Sequence, residues 1–153
     1  LGEVRLATTA DTEAFGRELA EQLRAGDLVI LDGPLGAGKT ALARGIAAGL
    51  GVSGRVSSPT FTIARQHRAG NRGGDLEPVA MVHVDAYRLH DSASPLDELD
   101  ALDLDTDLEH AVVVVEWGAG MVEHLATRHL WVRLRREPDT EVRAVEWEWV
   151  NPS

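Results

Sequence analysis

The sequence predicts a single α/β domain, with a mostly parallel central sheet flanked by helices and antiparallel hairpin additions. Three observations carry this expectation. Leu28–Leu31 and Ala111–Val115 are short, wholly apolar runs, as expected of strands buried on both faces. A glycine-rich octapeptide, Gly33-Pro34-Leu35-Gly36-Ala37-Gly38-Lys39-Thr40, follows the first run directly and opens a helical pattern. Near the end, His129–Arg136 and Glu141–Val150 alternate apolar and polar residues, which is the period of a half-buried hairpin.

Each element has a local reason. Val4–Ala7 is expected to be a short first strand. Asp11–Leu23 reads as an amphipathic helix, with Phe15, Leu19 and Leu23 at four-residue spacing, Thr9 or Asp11 as its cap and Gly26 as its end. After the octapeptide, Ala41, Leu42, Ala43, Ile46, Ala47 and Leu50 mark a helix stopped by Gly49 and Gly51. Ser57–Phe61 is a turn and Phe61–Gln66 an extended segment. Arg68–Glu77, rich in glycine and polar residues, is a hairpin tip. Val79–Val84 returns as a strand ending at Asp85. Asp97–Glu109 holds seven acids and no base, with leucines between them, and reads as one or two short acidic helices. A short helix over Ala119–Ala126 precedes the final hairpin.

Composition bounds the function. With 153 residues, 44% hydrophobic and 26% charged, one domain spanning 1–153 is expected around one core. No internal repeat or linker divides it. The absence of cysteine excludes disulfides, thiolate metal sites and cysteine nucleophiles, and suits a reducing compartment. No apolar run approaches the ~20 residues of a membrane-spanning helix, and the first residues lack a signal-peptide pattern. A cytoplasmic protein without membrane contact is expected. The chain starts at Leu1, so the numbering is expected to begin after a processed or trimmed end. A net charge of −10 argues against unaided nucleic-acid binding. Arg65, Arg68 and Arg72 read as a solvated loop rather than a binding patch.

The octapeptide fits G-x-x-x-x-G-K-[ST], the phosphate-binding P-loop of nucleotide hydrolases. Lys39 is the one lysine among fifteen lysines and arginines. A chain so biased toward arginine keeps an ammonium here because a wide guanidinium fork does not fit between loop and phosphate in the same way. The backbone amides of Leu35, Gly36, Ala37, Gly38, Lys39 and Thr40, at the start of the following helix, form a nest for phosphate oxygens. The Thr40 hydroxyl is placed for Mg²⁺ bridging β- and γ-phosphates.

Such a site needs carboxylates opposite. Asp85 and Glu116 stand at the ends of apolar strands, where an open parallel sheet converges on its ligand crevice. Of these two, one is expected to hold the metal and the other to orient the attacking water. Asp32 is expected to point away from the phosphates. His83 reads as a satisfied core or surface histidine, and Trp147 and Trp149 as packing on one strand face. Trp117, beside Glu116, is placed to line a nucleotide pocket.

Gly33–Thr40, Ser58-Pro59-Thr60-Phe61, Val84-Asp85-Ala86-Tyr87-Arg88-Leu89 and Glu116-Trp117 occur in the order and approximate spacing of the TsaE (YjeE) family, which the chain resembles from about Asp11 to Trp117. The resemblance implies a P-loop ATPase acting with TsaB and TsaD to make N6-threonylcarbamoyladenosine beside the anticodon of certain tRNAs, with tRNA met only through the complex. It implies that Thr40 and Glu116 bind magnesium, that Asp85 serves hydrolysis, and that Ser58–Phe61 forms a switch. It also implies a nucleotide contact near Thr9. Pro34, Ala86 and Gly118 depart from the family pattern at non-catalytic positions.

Two alternatives stay open. A small-molecule P-loop kinase would need lid arginines, for which Arg133, Arg135 and Arg136 are the candidates. A nucleotide-dependent scaffold would bind ATP with little turnover. A GTPase is excluded, because guanine recognition through [NT]-K-x-D needs a second lysine and the chain has none.

Overall fold

A computed structural model describes residues 2–34, 36–52, 64–70, 72 and 77–151. Its strands are β1 (Gly2–Leu6), β2 (Leu28–Asp32), β3 (Ala64–His67), β4 (Ala80–Asp85), β5 (Ala111–Glu116), β6 (His129–Arg136) and β7 (Arg143–Val150). They join in one sheet of order β1-β7-β6-β2-β5-β4-β3. The four inner strands β6, β2, β5 and β4 are parallel neighbours. Antiparallel pairings extend the sheet on both sides, β7 and β1 beyond β6, and β3 beyond β4. The expected α/β class therefore holds, and the two apolar runs are adjacent central strands.

Side-chain alternation sorts the core into two layers. Val29, Leu31, Val112, Val114 and Met81 face a cluster built with α1 (Thr9–Ala20) and α2 (Lys39–Leu50). Leu28, Ile30, Val113, Val115, Val82 and Val84 face the opposite cluster. That second cluster is covered by Leu89, Leu99, Leu104 and Leu108. Burial of one such side chain is worth about 1.5–3 kcal/mol, so both faces of β2 and β5 anchor the sheet. The acidic stretch does form two short helices, α3 (Pro95–Ala101) and α4 (Leu104–Asp107). Leu99 and Leu104 reach inward, while Leu96 and most of the carboxylates stay in solvent.

Helices α1 and α2 approach unusually closely because glycines line the seam. A Cβ on Gly45 would lie 2.1 Å from the Glu13 carbonyl oxygen, and one on Gly16 would lie 2.6 Å from that of Leu42. Glu13 stands beside Gly45, and Arg17 beside Gly49, so the helices run in the same direction. The N-terminus of α1 is thus level with the P-loop end of α2.

Several boundaries differ from expectation for local reasons. The α1 cap is Thr8, whose hydroxyl accepts the Asp11 N–H at 3.1 Å, and the helix ends at Ala20 rather than Leu23. Gly49 does not stop α2, because its missing side chain admits Ala20 and Arg17; Gly51 does, in the left-handed conformation. No α-helix forms over Ala119–Ala126. Instead the Glu123 carboxylate accepts the N–H groups of Gly120 and Val122, replacing helical bonds by local ones and leaving a 3-10 turn at Glu123–Leu125. Ser57–Phe61 and the first part of Phe61–Gln66 lie outside the described residues, as does much of Arg68–Glu77.

Candidate active site

β2 delivers the chain to Gly33, and α2 begins at Lys39. Gly36 and Gly38 take positive φ values of 80° and 101°, a conformation that glycine enters without steric cost. Gly38 caps α2 without any side-chain hydrogen bond. The first N–H groups of the helix are therefore left for a ligand, and the helix dipole favours an anion there. Leu35 lies outside the described residues.

The parallel register then brings the acids to the same place. Asp85 at the end of β4 is the Cα partner of Glu116 at the end of β5, and Glu116 is diagonal to the end of β2 through the Leu31 pairing. Glu116 continues the alternation of Val112 and Val114, and Asp85 that of Met81, so both side chains belong to the α2 face. The Thr40 hydroxyl donates to Glu116 Oε1 at 3.3 Å. Asp85 Oδ1 accepts the Tyr87 N–H at 3.0 Å, a local turn that fixes the carboxylate beyond the strand. Asp32 has the other parity and accepts the Trp131 Nε1–H at 3.4 Å.

Lys39 is only 5% exposed. Its ammonium donates to the carbonyl oxygens of Gly33 at 2.6 Å and Pro34 at 2.8 Å. It also lies 4.1 Å from the centre of the Trp117 ring, within range of a cation–π attraction. Burial pulls its pKa below the ordinary lysine value, while Glu116, Asp32 and Asp85 oppose the shift. Trp117 holds a positive φ of 63°. His90 Nε2 bonds its carbonyl at 2.8 Å, and Tyr87 meets its ring edge-on at 5.1 Å. Gly118 follows because a Cβ there would lie 2.5 Å from Val115 Cγ1. That contact gives a packing reason for glycine where the family pattern has proline.

These groups line a cleft of about 420 Å³ that also includes Arg44. Its donor set is hard oxygen from Thr40, Glu116 and Asp85, which suits Mg²⁺, an ion that usually keeps several waters and takes few protein ligands. Among the described residues, no group of three or more histidines and acids forms a cage.

The structure thus gathers Gly36, Ala37, Gly38, Lys39, Thr40, Asp85, Glu116 and Trp117 around one loop. Thr9 is exposed at the first position of α1, level with the loop but not on the cleft wall. Arg135 faces Glu146 at 3.8 Å and Arg136 faces Glu141 at 4.0 Å on the hairpin. With Arg133 they lie away from the cleft.

Two neighbours of the site escape a sequence reading. Arg44 reaches the cleft and pairs with Glu13 at 2.9 Å. His83 is fully buried, with Nε2 2.5 Å from Glu116 Oε2. Its signal was its place two residues before Asp85, which puts both on one face of β4.

Known proteins resemble the chain along most of its length. The family model described as "Threonylcarbamoyl adenosine biosynthesis protein TsaE" matches residues 6–145, so the match continues past Trp117 through β6 and into β7. The tRNA threonylcarbamoyladenosine biosynthesis protein TsaE of Mycobacterium tuberculosis is 55% identical over 97% of this chain and 87% of its own. That of Streptomyces coelicolor is 55% identical over 80% and 77%. The crystal structure of Bacillus subtilis YdiB superposes with a TM-score of 0.69 at 29% identity, covering 94% of this chain and 82% of that one.

Proposed function

The chain belongs to the TsaE family of tRNA threonylcarbamoyladenosine biosynthesis proteins, and on that premise we propose that it is a Mg²⁺-dependent ATP hydrolase supporting that modification. The observation that carries the reading is the Thr40 hydroxyl set against the Glu116 carboxylate at the mouth of a P-loop. A hydrolase needs phosphate held, charge neutralised and water aimed, and each requirement has a residue here.

The N–H groups of Gly36, Gly38, Lys39 and Thr40 bind phosphate oxygens, while that of Ala37 donates to the Pro34 carbonyl at 3.1 Å within the loop. Lys39 exchanges its two loop carbonyls for phosphate, at little electrostatic cost because its charge is retained. Thr40 and Glu116 would hold the magnesium, which supplies neutralisation of β- and γ-phosphate charge when bound. Asp85, on the neighbouring strand with its carboxylate fixed by the Tyr87 N–H, orients and deprotonates the attacking water. Trp117 and Tyr87 form an apolar wall beside the loop.

The acting complex is proposed to contain TsaB and TsaD, with tRNA reached only through them. A net charge of −10 supports contact with tRNA through partners rather than by the chain alone. The kinase alternative gains no lid from Arg133, Arg135 and Arg136, which are exposed on β6 and do not line the cleft. ATP hydrolysis measured with and without TsaB and TsaD tests the proposal. Turnover raised by the partners is expected. Partner-independent phosphorylation of a small metabolite would overturn it, and tight ATP binding without turnover in either state would leave a scaffold.

A further inference from the structure

The geometry points to His83 as the positioning residue of Glu116, holding its carboxylate against Thr40 so that the pair is preformed for a divalent cation. This rests on the magnesium-nucleotide reading above and adds a residue outside the P-loop, Asp85 and Glu116 set. The placement follows from the sheet. His83 shares the α2 face with Asp85, and its Cα partner on β5 is Val114, two residues before Glu116. Its ring therefore lies directly behind the Glu116 carboxylate, not in the cleft.

The hydrogen bonding is one-sided. Nε2 lies 2.5 Å from Glu116 Oε2, while buried Nδ1 has no hydrogen-bond partner among the described residues. A proton on Nε2 is donated to Glu116, whereas one on Nδ1 would be buried without an acceptor, at a cost.

Glu116 itself is 3% exposed, and a buried carboxylate needs donors. It has two here, His83 behind Oε2 and the Thr40 hydroxyl on Oε1. A lysine or arginine at position 83 would satisfy the carboxylate equally well but would cancel the charge a cation needs. The imidazole meets the carboxylate from behind through one ring nitrogen, outside the cleft where a cation would bind. Hydrogen bonds of this kind behind metal-binding carboxylates set ligand orientation.

The test compares His83→Gln, whose amide nitrogen reaches about as far as Nε2, with His83→Asn, whose nitrogen stops short. Neither adds charge. Calorimetry gives the affinity of a non-hydrolysable ATP analogue with Mg²⁺ and with EDTA. His83→Asn is expected to lose roughly tenfold or more of the Mg²⁺-dependent gain, and His83→Gln to keep most of it, with EDTA affinities equal to wild type in both. If His83→Asn does not fold, His83→Met fills the space without a donor and takes its place. A folded donor-free variant with the full Mg²⁺ gain overturns the inference. So does an equal loss in EDTA, which would make His83 a packing residue of the loop. A wild-type protein with no Mg²⁺ gain overturns the magnesium reading together with the inference.

Discussion

The Lys39 ammonium lies 4.1 Å from the centre of the Trp117 ring while donating to the Gly33 and Pro34 carbonyls. Phosphate in the loop has to draw Lys39 from both carbonyls, which changes what the indole faces. ATP is therefore expected to alter tryptophan emission. The change should largely vanish in Trp117→Phe, although calorimetry still records binding. An undiminished change from Trp131, Trp147 and Trp149 alone would show that the ligand leaves this contact untouched.

Replacing Lys39 by alanine removes the cation but keeps the loop backbone. A ligand at a hundredfold excess over its Kd stabilises a protein by about 2.7 kcal/mol. For a chain of this size each kcal/mol raises Tm by roughly 2–4 °C. Wild type is expected to gain several degrees with ATP and Mg²⁺, and Lys39→Ala almost none at the same concentrations. An equal shift in both proteins would place the nucleotide elsewhere.

What could be read before folding, and what could not, divides by range. Leu28–Leu31, the glycine loop and the start of α2 are contiguous, so strand, turn and helix propensity together specify them. Asp85 and Glu116 could be singled out because each ends an apolar strand. The bond between His83 and Glu116 could not, since it depends on the register between β4 and β5, which no local pattern encodes. The persistence of α2 through Gly49 has the same origin. A residue with poor helix propensity is retained because a neighbouring helix occupies the space its side chain would fill. The proposed switch at Ser58–Phe61 lies outside the described residues and stands on resemblance alone.

The seam between α1 and α2 offers a test of that close approach. A Cβ at Gly45 would sit 2.1 Å from the Glu13 carbonyl oxygen, a backbone atom that cannot rotate aside. Alanine normally favours a helix by up to about 1 kcal/mol over glycine. Here the clash dominates, and Gly45→Ala is expected to destabilise by about 1–3 kcal/mol. Chemical denaturation would read this as a lower midpoint at unchanged slope. A stabilised variant would mean that the helices are not in contact at this point.

His129 should make stability fall in mild acid. It is 4% exposed, and burial holds its pKa below 6.5, with Glu123 opposing the shift. As pH falls through 6.5, the unfolded chain takes up this proton before the folded one. Its contribution is therefore complete above the unfolded value and declines down to the depressed folded value. His129→Phe is expected to lose less stability than wild type between about pH 7.5 and 5, measured by urea denaturation at each pH. Parallel losses in the two proteins would assign the acid sensitivity to other groups.

The two strand-end acids should separate by what each loses. Glu116 touches Thr40 and is nearly enclosed, whereas Asp85 is partly exposed beyond the strand with Oδ1 on the Tyr87 N–H. The first arrangement suits a metal-holding group and the second a group that meets water. Glu116→Gln keeps the shape but removes the charge, so it should weaken Mg²⁺-dependent nucleotide binding and thereby slow turnover. Asp85→Asn should bind Mg²⁺ and ATP within a few-fold of wild type yet hydrolyse about 10²–10⁴-fold more slowly. Calorimetry on the isolated chain and turnover in the presence of TsaB and TsaD give both quantities. Should Asp85→Asn lose Mg²⁺-dependent binding while Glu116→Gln keeps it, the two roles are exchanged. The metal would then sit over β4, on the Asp85 side of the cleft.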